Sequence, residues 1–147
     1  MAKKQTTPLD LMSICKDIDQ WPQSWAGFPH DVPVGDKLVE LFKGFLNQQI
    51  DKGRAKSTIK RHADYLWILG GEIIREISND DEDDEAYTLS GKTLLLQYIN
   101  DEGGTYWTDA PSEQELVAYN SVCRRLYQWM IKSEWFLKDH RSLLRRS

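Results

Sequence analysis

From Ser57 to Ser78, Ile59, Ala63, Leu66, Gly70, Ile73 and Ile77 recur at intervals of four and three residues. At about 100° per residue they share one narrow stripe, the mark of a helix that buries one face. Trp67 and Ile74 widen it, and Ser57 is the expected N-cap. Gly70-Gly71 costs about 1 kcal/mol per glycine relative to alanine in mid-helix, so the pair predicts a close helix crossing or a kink.

The rest of the chain follows the same period. Leu38, Leu41, Phe42, Phe45, Leu46 and Ile50 predict a helix over 36–52, with Asp36 as N-cap and Gly53 closing it. Leu94, Leu95, Leu96, Tyr98 and Ile99 predict a short helix over 89–99, ended by Gly103-Gly104. Ser112 and Glu115 have capping-box spacing and open a helix expected to end near Leu137, with Leu116, Tyr119, Cys123, Leu126 and Met130 inward. A further short helix is expected around Leu9–Ile18. No stretch alternates cleanly, so no sheet is expected and the fold class is all-α.

Between these segments the composition changes abruptly. Residues 20–35 hold three Pro and two Gly among Trp21, Trp25 and Phe28. Prolines this dense oppose regular helix, while the aromatics resist exposure to water. The segment reads as an ordered strap across the bundle, or as one wall of a peptide or ligand groove. Residues 80–85 are six consecutive acids, which repel one another and predict a solvated loop over 79–88. The expected organisation is a tail, short helix and strap over 1–35, a helical bundle over 36–138, and a basic C-terminal tail over 139–147. The chain has 147 residues, 40% of them hydrophobic and six of them Trp, enough for one domain with a real core.

Several function classes find no support. No apolar run approaches the roughly eighteen residues of a membrane span, so no membrane association is expected. The lysines near the start have no apolar stretch behind them, so no secretory leader is expected. Cys15 and Cys123 stand alone, which suits buried thiols in a reducing cytoplasm. His30, His62 and His140 have no second ligand at metal-binding spacing, and His62 beside the core stripe reads as a packed imidazole. No nucleophile elbow, phosphate loop or dinucleotide fingerprint is present. The sequence therefore predicts no enzyme, no cofactor and no metal.

The charge is more informative. The net charge is −4. Residues 36–77 carry 8 basic and 6 acidic side chains, residues 78–115 carry 1 and 11, and residues 116–147 carry 7 and 2. Arg54, Lys56, Lys60 and Arg61 cluster at the start of the second long helix, where free backbone N–H groups also favour phosphate. Ser121, Arg125, Gln128 and Lys132 form a polar stripe opposite the core face of the last helix. Such a face can contact phosphates or base edges, and it can equally be an ordinary solvated face.

The runs Leu41-Phe42-Lys43-Gly44-Phe45-Leu46 and Gly53-Arg54-Ala55-Lys56-Ser57-Thr58-Ile59-Lys60-Arg61 resemble the core-binding domain of phage integrases and other tyrosine recombinases. Tyr119 to Met130, with Arg124, Arg125, Leu126 and Trp129, is similar to that family's last helix. The resemblance covers about residues 36–135. The adjacent Ser57-Thr58 departs from the family's wider Ser–Thr spacing. The resemblance implies a compact bundle of four or five helices gripping duplex DNA as one jaw of a clamp. By position, the implied contacts are Lys56, Thr58, Lys60, Arg61, Arg124, Arg125, Gln128 and Lys132, and Arg54 joins them from the charge pattern. The family's catalytic domain has no counterpart here, so a non-catalytic module is implied. Two other readings stay open: an adaptor holding a protein partner on the same bundle, and an acidic mimic of DNA. The oligomeric state is not readable.

Overall fold

A computed structural model describes the backbone of residues 10–79 and 84–146, and the side chains of residues 10–78 and 85–132. The anticipated tail over 1–8 and acids 80–83 lie outside the described residues. Among the described residues, six α-helices form an all-α bundle: α1 Leu11–Ile14, α2 Trp21–Trp25, α3 Val32–Asp51, α4 Lys56–Asn79, α5 Gly91–Leu95 and α6 Glu113–Arg146. No strand occurs among the described residues; Asn100 and Gly103 make one isolated bridge. Among the described residues, no helix is long and apolar enough to cross a membrane.

The stripe of α4 is buried as its spacing demands, with Ile59, Ala63, Leu66 and Ile73 fully enclosed. Leu38, Phe42 and Leu46 of α3 meet it, and Tyr119, Cys123 and Leu126 of α6 close the other side. Trp67 departs from the expected stripe and stays 43% exposed. The α3–α4 turn is a Schellman closure. Gly53 N–H donates to Ile50 C=O, and Arg54 N–H donates to Gln49 C=O, with Gly53 at φ 78°. After so tight a turn α4 starts at Lys56, so Ser57 lies inside the first turn and is not its cap.

The proline-rich segment is more helical than its composition predicts. Pro22 and Pro33 each sit in the first turn of a helix, where the missing N–H has no intrahelical partner to lose. Helix α3 therefore begins at Val32 and not at Asp36. The segment is also part of the core, because Trp21, Pro22 and Val34 are buried, as are Leu11, Ile14 and Ile18 in the stretch before it. Gly70 accommodates it. A Cβ there would stand 2.3 Å from Trp25 Cζ2, so the glycine admits the indole of α2 while α4 runs unbroken.

Asp31 ties three segments together. Its Oδ2 accepts from the backbone N–H groups of Gly27 and Phe28, both at 2.9 Å, and from Ser78 Oγ at 2.8 Å. Its Oδ1 accepts from Tyr87 Oη at 2.9 Å. Tyr87 belongs to a 3-10 turn over Asp84–Thr88 in which Ala86 is buried. The second half of the expected solvated loop is therefore folded onto the bundle.

Two helix ends also differ from expectation. Helix α5 is shorter than 89–99, starting at Gly91 after Ser90, whose Oγ accepts from Thr93 N–H at 3.1 Å. Helix α6 runs to Arg146, past the predicted stop near Leu137, so the anticipated C-terminal tail continues the helix through its penultimate residue. Ser112 caps α6 by accepting from Glu115 N–H at 3.1 Å. The Glu115 carboxylate accepts from Tyr65 Oη on α4.

Candidate nucleic-acid interface

The C-terminal end of α3, the turn after it, and the middle of α6 enclose a small groove of about 140 Å³. Lys52, Arg54, Arg125 and Lys132 line it, with Gln48, Gln128 and His62 between them and, among the described residues, no carboxylate in its walls. The four cations are exposed at its mouth. Its apolar base comes from Phe45, which packs edge-on to Trp129 at 6.0 Å and stacks near His62 at 6.4 Å.

His62 is the best-defined member. Its ring is half-buried, and with a proton on Nδ1 it donates to Gln49 Oε1 at 2.8 Å. That tautomer leaves Nε2 as an acceptor. Burial first, and then the charges of Arg125, Arg54 and Arg61, hold its pKa below the ordinary histidine value. The imidazole thus sits neutral in a ring of cations, a setting that changes when an anion enters.

The sequence-predicted residues divide into three groups. Arg54, Arg125, Gln128 and Lys132 come together in the groove, although Arg54 is remote from α6 in sequence. Arg61 stands at the margin, where its charge reaches His62 and Tyr65. Lys56, Thr58, Lys60 and Arg124 do not line the groove. Lys60 pairs with Asp64 at 3.6 Å, and Arg124 Nη1 donates to Glu102 C=O at 3.4 Å. Sequence reasoning missed Lys52, Gln48 and the role of His62. Lys52 and Gln48 lie four apart on the last turns of α3, a spacing that signals a shared face once that end of the helix is known to be open.

The two thiols are chemically quiet. Burial, with the nearby Asp17 carboxylate, pushes Cys15 up to about 11, and burial pushes Cys123 up to about 12. At neutral pH neither forms appreciable thiolate. Among the described residues, no three His, Cys, Asp or Glu side chains cluster closely enough to hold a metal. No protein-family model, curated protein or solved structure matches this chain.

Proposed function

We propose that this chain is a non-catalytic DNA-binding accessory or regulatory module of the cytoplasm, similar in plan to the core-binding domain of tyrosine recombinases. One observation carries the reading: four exposed cations from α3, its following turn and α6 share one groove with no acid among the described residues of its walls. Arginine and lysine arrayed this way suit successive phosphates, while Gln128 and Gln48 add donors and acceptors for base or sugar edges. The chain's net negative charge resides elsewhere, chiefly in residues 78–115.

Fluorescence anisotropy with a labelled duplex tests it. Affinity falls with salt at a log–log slope of about −3 to −4 if the four cations each neutralise one phosphate. Arg54→Ala with Arg125→Ala lowers the magnitude of that slope by about 2. Lys60→Ala, outside the groove, leaves it unchanged. Salt-independent binding, or no binding at low salt, overturns the reading. Retention of a protein partner in place of DNA moves it to the adaptor.

A further inference from the structure

The aromatic residues of the strap build a second and larger cavity, of about 680 Å³. Trp25, Phe28, Trp67 and Trp107 supply its aromatic walls, Glu72 and Asp109 its carboxylates, and Arg75 a single guanidinium. Gly71, also in its wall, stands nine residues after His62, two and a half helical turns at about 100° per residue. The cavity therefore opens on the face of α4 opposite the basic groove.

Its rings are held by the fold. Trp25 Nε1–H donates to Trp67 C=O at 3.0 Å, and its indole rests against the Gly70-Gly71 backbone. Trp107 packs against Tyr65 at 6.3 Å and Tyr119 at 5.5 Å. Phe28 and Trp67 are 53% and 43% exposed, so these two rings remain open to a ligand. Glu72 faces the same space with its side chain only 13% exposed. Both its oxygens have a partner, each at the long end of the range: the Arg75 guanidinium is 3.9 Å away, and the Thr108 hydroxyl donates at 3.4 Å. Arg75 is more than half exposed and keeps its own solvent contact.

We propose that this pocket binds a small molecule carrying an alkylated ammonium group on an apolar body. Indole faces attract such a cation through their quadrupole and require no hydrogen-bond donor from it. Glu72 and Asp109 outnumber Arg75 in the wall, so the pocket keeps a net negative charge, and the Glu72 carboxylate supplies the charge opposite to the ligand's. A purely apolar ligand would strip water from that carboxylate without compensation, and a small inorganic cation would give up more hydration than the rings return. The volume suits a ligand of drug-like size, larger than an ammonium head alone.

The test is a titration of the full chain, read on the tryptophan indole N–H signals by proton–nitrogen NMR. The probes are choline, benzyltrimethylammonium and the neutral carbon isostere of choline. Saturable shifts at Trp67 and Trp107 are expected with both cations, stronger with the benzyl compound. The neutral isostere binds about tenfold more weakly. Trp67→Ala removes the response at an exposed position, and Glu72→Gln weakens both cations about tenfold while keeping the rings. Arg54→Ala with Arg125→Ala leaves cation binding intact, so failure of the DNA reading and failure of this one are separately visible. Equal affinity for the isostere, shifts that never saturate, or indifference to both pocket variants overturns the proposal.

Discussion

The Tyr87 hydroxyl donates to Asp31 Oδ1 at 2.9 Å and pins the turn after the acidic run onto the start of α3. The same carboxylate gathers Gly27, Phe28 and Ser78, so one buried charge joins the strap, the end of α4 and the chain beyond it. Burial acts to raise its pKa, but hydrogen bonds from Ser78, the Phe28 N–H, Tyr87 and the Gly27 N–H outweigh that and hold it below the ordinary carboxylate value.

Asp31→Asn is therefore expected to destabilise the chain by about 3 kcal/mol, because an amide turns an NH₂ group toward buried donors. Urea unfolding at neutral pH measures it. The pH dependence has a definite sign. A carboxyl depressed on folding stabilises above its unfolded pKa of about 3.9, and that stabilisation disappears as pH falls through the folded value. The gap between the natural chain and Asp31→Asn should narrow over that acid window. A constant gap would show that the effect is steric.

His62 gives the groove a pH signature. Its pKa is lowered by burial and by Arg125, Arg54 and Arg61. A bound phosphate offsets those charges and raises it, so binding takes up a proton. Duplex affinity should rise as pH falls below about 6.5 and level off under the free-protein pKa. The free protein shows the opposite trend over the same range, losing stability because the unfolded chain protonates first. His62→Gln should flatten both profiles. Calorimetry in buffers of different ionisation enthalpy counts the proton directly, and zero uptake at pH 6 rejects this role.

How much of this was readable depended on whether the signal was local. The periods of α3, α4 and α6 lie in single stretches of sequence, and their core faces follow from spacing. Pro33 misled the boundary of α3 because proline breaks a helix interior yet fits its first turn, and only the backbone tells these apart. The basic cluster misled differently. Lys60 and Arg61 are sequence neighbours about 100° apart on the helix, so one pairs with Asp64 while the other reaches toward His62. The meeting of Arg54 with Arg125 leaves no local trace, because tertiary packing of α6 on α4 creates it.

The thiols offer a direct check on the fold. With Cys15 pushed up to about 11 and Cys123 up to about 12, mainly by burial, both should resist alkylation at pH 8 in the native chain and react rapidly in denaturant. Mass spectrometry after timed iodoacetamide treatment reads each site. Cys123 should be the slower, since its side chain is enclosed between helices. Rapid native labelling of Cys123 would contradict the packing of α6.

Gly70→Ala puts the strap's attachment to the test. In an ordinary helix interior this change stabilises by about 1 kcal/mol. Here the new methyl would stand 2.3 Å from Trp25 Cζ2, so the indole must leave and its 3.0 Å hydrogen bond to Trp67 C=O must break. A net loss of about 1–3 kcal/mol is expected, with a changed tryptophan emission. The decisive experiment is a double-mutant cycle with Trp25→Ala. Once the ring is gone, Gly70→Ala should become neutral or stabilising. If it stays as damaging in that background, the glycine serves something other than the indole.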